Sequence, residues 1–286
     1  MKLLIIGSGG QLGHDFVNQA AAAGHSVIPV DYPQIDICNK LSVDTCIDNA
    51  KPDIIVNCAA FTAVDNCESE QEKAFELNAG ACGILASAAK KISAMLIHFS
   101  TDYVFDGCGS APYTEDSRTN PQSVYGKSKL SGEEAIVNTH NDAMIFRIAW
   151  LYGAHGNNFV KTIRRIAAAN AQEGKPLKVV NDQFGTPTWT VDVCKQALAM
   201  LDRRERGIFH CTSEGFCSWF DFAKEIVVSA GINVDIQPCT TEEFPRPAPR
   251  PHYSVLENAR LKSIGANIMP EWKDGFRGFL STEEKG

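Results

Sequence analysis

A glycine-rich turn directly after a short apolar segment constrains this chain more than any other feature. The segment KLLII, which follows Met1, is typical of a buried parallel strand, and an Ala-rich helix follows the turn GSGGQLG. Glycines at a strand-to-helix turn let a dinucleotide pyrophosphate approach the backbone at the positive end of the helix dipole. A tight turn without a ligand is the alternative. The residues predicted to bind the dinucleotide here are Gly7, Gly10, Gln11, Leu12 and Gly13.

Strands and helices alternate along the first half of the chain, which is typical of a doubly wound parallel α/β sheet of the Rossmann-like type. Further strands are predicted at 25–30, 54–58, 94–99 and 144–148, with helices at 12–23, 42–49, 70–91 and 124–137. The later pattern is less regular, with helices at 158–171, 190–201 and 218–230 and short strands at 178–180, 207–211 and 234–238. We therefore expect a dinucleotide-binding domain with the catalytic helix at 1–150 and a smaller, dependent α/β substrate-binding lobe at 151–286.

The composition restricts the binding partners and the cellular location that we expect for this protein. The formal net charge is -7, and an acidic surface disfavours nucleic acid and anionic membranes as main partners. No apolar stretch reaches the roughly 18 residues of a transmembrane helix. The ten cysteines contain no C-x-x-C pair, and several lie in apolar runs. Free cysteines of this kind predict a reducing, cytoplasmic location.

Acidic and small residues after the second and third strands predict how the cofactor is held. Asp31 follows the second strand, where a carboxylate accepts hydrogen bonds from the adenosine ribose and repels a 2′-phosphate. No Lys or Arg occurs at 31–39, which favours NADH over NADPH, although a solvated turn is the alternative for Asp31. Asp36 and Ile37 are placed at the adenine edge or in a plain loop. Small residues after the third strand leave room for the cofactor: Ala59 and Ala60.

Tyr125 and Lys129 form a Y-x-x-x-K pair, and this spacing puts both side chains on one face of a helix. A nearby ammonium lowers the pKa of a phenol from its usual value of about 10. The pair is then a proton donor near neutral pH. Ser100 and Thr101 lie just past the predicted fourth strand, where a hydroxyl can bind a substrate carbonyl or, alternatively, cap a turn.

Together with further strings, these motifs resemble the dTDP-4-dehydrorhamnose reductase family of the extended short-chain dehydrogenases/reductases. The strings are TAVD (62–65), STDYVFDG (100–107), NDQFGTPT (181–188) and RPHYSVL (250–256). The resemblance covers nearly the whole chain. It implies NAD(P)H-dependent reduction of the C4 ketone of dTDP-4-dehydro-L-rhamnose to dTDP-L-rhamnose, a precursor of cell-wall and O-antigen polysaccharides.

The resemblance also implies residue roles. Tyr125 would give the proton, Lys129 would tune Tyr125 and hold the nicotinamide ribose, and Thr101 would orient the carbonyl. Thr62 and Ser100 would lie on the cofactor side. The residues implied around the sugar nucleotide are Val64, Asp65, Thr101, Asp102, Trp150, Asn158 and Arg250. Arg250 suits a diphosphate because its planar fork matches phosphate oxygens, whereas core packing is the alternative for Trp150 and Asn158.

Some members of the family form dimers through a magnesium site, so a homodimer is one expected assembly. Asp15 matches one acidic position of that site, but Trp189, Thr190 and Val191 precede the next acid, Asp192. We therefore expect no complete magnesium site.

Two other functions remain as alternatives. A sugar-nucleotide epimerase or 4,6-dehydratase has the same fold, but the dehydratase pattern carries Glu where this chain has Tyr103. A non-catalytic regulatory subunit resembling that of methionine adenosyltransferase would also keep Tyr125 and Lys129. Net consumption of NADH distinguishes a reductase from both.

Overall fold

The computed structural model describes residues 1–283. The strands are β1 (Lys2–Ile6), β2 (Ser26–Val30), β3 (Ile54–Asn57), β4 (Met95–Thr101), β5 (Ala143–Ile148), β6 (Leu151–Tyr152), β7 (Leu177–Val180), β8 (Phe184–Gly185), β9 (Thr188–Trp189), β10 (Gly207–His210), β11 (Cys217–Ser218) and β12 (Ile236–Cys239). The helices are α1 (Gln11–Ala22), α2 (Lys40–Ala50), α3 (Val64–Ser69), α4 (Gln71–Phe75), α5 (Ala81–Lys91), α6 (Val124–Thr139), α7 (Phe159–Glu173), α8 (Thr190–Ala199), α9 (Trp219–Ser229), α10 (Ala259–Ser263) and α11 (Trp272–Glu283).

The central feature is a six-stranded parallel sheet in the order β10-β5-β4-β3-β1-β2. Its inner strands are continuous apolar runs because helices cover both faces. On one face Phe16 of α1 and Val193 of α8 pack on the sheet, and on the other Leu85 of α5 and Ile136 of α6 do so. The predicted doubly wound parallel α/β fold is confirmed.

The predicted single helix at 70–91 is interrupted. The chain forms α4, a π-helical segment at Glu76–Gly80 and then α5. Asn78 in the π segment is buried, and its side chain accepts from Phe61 N at 2.8 Å and donates to Phe61 O at 3.1 Å. These hydrogen bonds satisfy the main-chain groups of Phe61 in the preceding loop. They give a physical reason for the wider π-helical turn, which the helical periodicity of the sequence does not reveal.

The second half of the chain has its own apolar cluster, in which Tyr152, Val160, Phe222 and Phe279 are fully buried. It also supplies β10, which pairs with β5 at one edge of the main sheet. The two halves therefore share a sheet. The assignment of substrate binding to 151–286 stays a prediction, and its last three residues lie outside those described.

Between Met1 and Glu283, the structure contains no helix that is both long enough and apolar enough to cross a membrane.

Candidate active site

The glycine turn lies at the carboxyl edge of the sheet, between β1 and α1. Gly7 has a φ of +77°, and a Cβ there would lie 2.7 Å from Ala59 N. A Cβ on Gly13 would lie 2.1 Å from Gly7 O. Both positions therefore require glycine, and the turn brings the start of α1 against the end of β3. This is the close backbone approach that a pyrophosphate site needs.

The acidic residues of the predicted adenosine site are held by main-chain groups. Gly9 N donates to Asp31 Oδ2 at 2.8 Å, and Tyr32 N donates to Asp31 Oδ1 at 2.8 Å. Cys38 N donates to Asp36 Oδ1 at 3.0 Å. The structure thus brings Asp31 directly against the glycine turn, while the Ile37 side chain is buried in the core.

Helix α6 presents the Y-x-x-x-K pair. Ser123 caps the helix by accepting from Gly126 N at 3.1 Å, which places Tyr125 in the first turn. The Tyr125 ring packs edge-on against Tyr103, with 5.5 Å between centroids. Lys129 follows one turn later and is only 2% exposed.

Lys129 is anchored from beneath by β4 rather than by an acidic side chain. Its Nζ donates to Phe99 O at 2.6 Å and lies 3.1 Å from His98 Nε2. The His98 Nδ1 lies 3.1 Å from Asn57 Nδ2. Burial lowers the pKa of Lys129, and burial followed by the Lys129 charge holds the pKa of His98 well below its usual value. The sequence analysis did not single out His98, although a histidine inside the apolar strand MLIHFST is a visible signal.

The pKa of Tyr125 differs from the sequence expectation. Burial raises it above the usual value for tyrosine, and the Thr101 hydroxyl acts in the opposite direction. Lys129 does not offset the effect of burial because its own charge is disfavoured in the same interior. Tyr125 is therefore a phenol in this structure, which is the form that can give a proton.

Thr101, Ser100 and Asp102 lie together where β4 ends. Thr101 Oγ1 donates to Asp102 Oδ1 at 2.9 Å and accepts from Tyr103 N at 3.2 Å. Burial raises the pKa of Asp102 to about 6, with hydrogen bonds from Ser254 and Thr101 opposing the rise. Ser100 Oγ is buried and has no partner among the described residues. An unpartnered hydroxyl at the carboxyl edge of the sheet fits a site that a dinucleotide completes.

An ion pair crosses the predicted substrate side. Arg250 Nη2 lies 2.8 Å from Asp65 Oδ1, and Ala248 N donates to the same oxygen at 3.2 Å. The proline-rich segment 245–251 is thereby tied to the start of α3, next to Val64. The structure thus brings Asp65 and Arg250 together, 185 positions apart in the sequence.

The remaining substrate candidates have structural partners. Trp150 has a φ of +47° and stacks on Trp219 with 3.3 Å between ring centroids. Asn158 caps α7 and also donates to Gln11 Oε1 at 2.8 Å, on the cofactor side. Trp219 was not singled out from the sequence, because nothing in its local pattern separates it from an ordinary core aromatic.

The side chains at the position expected for magnesium are hydrogen-bonded to each other. Thr190 Oγ1 donates to Asp15 Oδ2, so a neutral hydroxyl stands where a second acid is needed. Burial raises the pKa of Asp192, which disfavours the anion that a cation requires. Within residues 1–283 no group of three or more His, Cys, Asp or Glu residues is placed to hold a metal ion.

A doubly wound sheet, a glycine turn opening its first helix and a Tyr-x-x-x-Lys pair at the carboxyl edge define an extended short-chain dehydrogenase/reductase. The model of one family, described as the RmlD substrate binding domain, matches residues 1–284. The chain belongs to this family, and the resemblance to dTDP-4-dehydrorhamnose reductases is confirmed.

The similarity to known proteins extends over nearly the full length of both chains. The spore coat polysaccharide biosynthesis protein SpsK of Bacillus subtilis is 40% identical, with 98% of this chain and 96% of that protein covered. A dTDP-4-dehydrorhamnose reductase of Clostridium acetobutylicum has a solved structure with a TM-score of 0.95 and 46% identity, covering 99% of this chain and 100% of that one. The corresponding enzyme of Bacillus anthracis, solved in complex with NADP, has a TM-score of 0.94 and 36% identity, covering 98% and 99%.

Proposed function

We propose that this protein is an NAD(P)H-dependent reductase that converts the C4 ketone of dTDP-4-dehydro-L-rhamnose into the hydroxyl of dTDP-L-rhamnose. The observation that carries the proposal is the placement of Tyr125, Thr101 and Lys129 at the carboxyl edge of the sheet, the same edge that carries the glycine turn. Membership of the family and relatives named as dTDP-4-dehydrorhamnose reductases support the substrate.

The side chains divide the reaction between them. When bound, the reduced nicotinamide supplies the hydride that adds to C4. Tyr125 gives its phenolic proton to the ketone oxygen, which becomes the new hydroxyl, and Lys129 holds the nicotinamide ribose. Thr101 lies beside Tyr125 and positions the ketone oxygen. Because its hydrogen points to Asp102 in this structure, binding the ketone requires Thr101 to turn its hydroxyl outward.

Arg250 provides the anion-binding group for the sugar nucleotide. Its guanidinium matches phosphate oxygens in a two-pronged contact. The guanidinium is paired with Asp65, so diphosphate binding would exchange one anionic partner for another. Val64, Asp102, Trp150 and Asn158 complete the proposed lining.

We propose that NADH is used in preference to NADPH. The carboxylate of Asp31 is fixed against the glycine turn by Gly9 N. A fixed carboxylate accepts hydrogen bonds from ribose hydroxyls and repels a 2′-phosphate. The Bacillus anthracis relative was solved in complex with NADP. The preference for NADH is therefore proposed for this chain and not for that relative.

We also propose a reducing, cytoplasmic setting, which the ten unpaired cysteines support. Assembly as a homodimer stays a prediction. Neither the epimerase or dehydratase nor the regulatory-subunit alternative has a specific observation in its favour here.

The test is cofactor oxidation followed by absorbance at equal concentrations of NADH and NADPH, with dTDP-4-dehydro-L-rhamnose supplied. We expect stoichiometric oxidation of the cofactor, formation of dTDP-L-rhamnose and a higher kcat/KM for NADH. Binding of both cofactors without consumption of either would overturn the reductase proposal. A higher kcat/KM for NADPH would overturn only the role given to Asp31.

A further inference from the structure

The Thr101 hydroxyl lies among three polar groups at the end of β4. Its Oγ1 accepts from Tyr103 N at 3.2 Å and donates to Asp102 Oδ1 at 2.9 Å. It also faces the phenol of Tyr125, whose pKa it lowers. A hydroxyl has one hydrogen and two lone pairs. The protonation state of Asp102 therefore determines which of these contacts Thr101 can make.

An ionised Asp102 turns both hydroxyls of the site away from the ketone position. A carboxylate can only accept, so it takes the single hydrogen of Thr101. One lone pair of Thr101 is used by Tyr103 N, and the other is open to the phenolic hydrogen of Tyr125. Neither hydrogen is then directed to a bound ketone oxygen.

A neutral Asp102 has the opposite effect. Its O–H can donate to Thr101 Oγ1 across the same 2.9 Å, so that both lone pairs of Thr101 are filled. The hydrogens of Thr101 and Tyr125 are then both free for the ketone oxygen. We propose that Asp102 is a positioning residue whose neutral form directs these two hydroxyls to the substrate ketone. This inference rests on the proposed function.

The surroundings of Asp102 make its neutral form accessible. The residue is only 3% exposed, and Oδ2 is buried with no partner at good hydrogen-bond geometry among residues 1–283. Burial raises the pKa of Asp102 to about 6, although Ser254, Thr101 and main-chain N–H groups favour the anion. Both forms are therefore populated near neutral pH.

The charged side chains on this side of the site are committed to each other. The guanidinium of Arg250 lies 2.8 Å from Asp65, so this cation already has an anionic partner. The other titratable groups around Asp102 and the phenol of the catalytic helix are neutral, because burial raises their pKa values: Tyr103, Tyr125 and Cys67.

The consequence is a pH dependence that differs between kcat/KM and kcat. With a pKa of about 6, roughly one tenth of the free protein carries a neutral Asp102 at pH 7. A ketone that binds productively only to this form binds more weakly in proportion. We therefore expect kcat/KM to fall about tenfold per pH unit above pH 6, since it reports the free enzyme. The fall in kcat should begin at a higher pH, because the bound ketone favours the neutral form.

The kinetic experiment compares the full-length wild type with Asp102→Asn from pH 5 to pH 9, with NADH and dTDP-4-dehydro-L-rhamnose. An amide N–H donates to Thr101 at every pH, so we expect the alkaline limb of kcat/KM near pH 6 to disappear in this variant. Asp106→Asn in the same turn is the matched control and should keep the limb. A wild type without the limb, a limb retained in Asp102→Asn, or a folded Asp102→Asn without turnover would each overturn the inference.

A second measurement does not depend on the reaction. Infrared difference spectra of the full-length protein, free of cofactor and substrate, follow the carbonyl stretch of protonated carboxyl groups between pH 4 and pH 8. The Asp102 band is identified by its loss in Asp102→Asn or, if that variant does not fold, by ¹³C NMR of labelled aspartate. We expect a midpoint near pH 6. An Asp102 that stays ionised down to pH 4 would overturn the inference, whereas a titrating band without cofactor oxidation in the wild type would overturn the proposed function instead.

Discussion

At the scale of single residues, burial and neighbouring groups set the pKa of each site residue, so its residue type alone does not predict its charge. Asp102 and Tyr125 lie a few positions from charged side chains in the sequence, yet burial raises the pKa of both. Arg250 keeps a carboxylate partner, Asp65, at the rim. The interior of the site therefore contains a phenol and a carboxyl group whose pKa of about 6 lies closer to neutral pH than usual, while the Arg250–Asp65 ion pair lies on the proposed substrate side.

Tyr125→Phe tests the proton donor. The ring and its contact with Tyr103 are retained and only the hydroxyl is lost, so we expect cofactor binding to stay within about twofold. We expect kcat to fall by roughly 10²–10⁴, the usual contribution of general acid catalysis. Fluorescence titration with NADH and steady-state rates are the measurements. Wild-type turnover in this variant would remove Tyr125 from the mechanism.

At the scale of elements, α6 is held by close contact with the π-helical segment at Glu76–Gly80. A Cβ on Gly132 of α6 would lie 2.1 Å from Asn78 O and 3.2 Å from Cys82 Sγ. The helix that carries Tyr125 can reach this depth only with glycine at that position. The interrupted helix and the catalytic helix therefore specify each other's positions.

Gly132→Ala should destabilise the protein by about 1–3 kcal/mol, because a methyl group is forced into a filled contact. Gly83→Ala in the neighbouring helix α5 is the matched control. Its Cβ would meet only Ala135 Cβ at 3.8 Å, and replacing a helical glycine should stabilise by about 0.5–1 kcal/mol. Urea unfolding of both variants gives the comparison. Equal stability of the two would show that the close contact does not constrain α6.

At the scale of the whole molecule, β10 fastens the second half of the chain to the main sheet. His210 at its end is fully buried, and its Nδ1 lies 3.0 Å from Glu257 O. Its main-chain N–H donates to Glu115 Oε1 at 2.9 Å. Three segments far apart in the sequence thus meet at one histidine.

His210 makes the stability of the fold depend on pH. Burial, and then the nearby Arg147, lower its pKa from 6.5 to about 3. Between these values the unfolded chain binds the proton and the folded chain does not. The stabilisation is therefore fully present above pH 6.5 and is lost as the pH falls toward 3, by up to about 1.4 kcal/mol per pH unit.

His210→Asn keeps a donor for Glu257 O and removes the titrating ring. We expect the free energy of unfolding to decline less steeply than in wild type between pH 6 and pH 4. The two slopes should differ by up to about 1.4 kcal/mol per pH unit, which corresponds to the uptake of one proton. Urea unfolding at several pH values measures this slope, and the exposed His155 offers a matched His→Asn comparison. A slope identical to wild type would contradict the assigned role of His210.

The sequence by itself determined the strand-and-helix alternation, the dinucleotide turn, the Tyr125–Lys129 face and the family. These features are local, because glycine spacing, apolar periodicity and i,i+4 neighbours are written within one turn or one strand. Only the tertiary structure decided that β10 joins the main sheet, that the 70–91 helix is interrupted and that His98 lies under Lys129. Each depends on groups brought together from distant positions, and on burial, which sets a pKa through surroundings that no local pattern specifies.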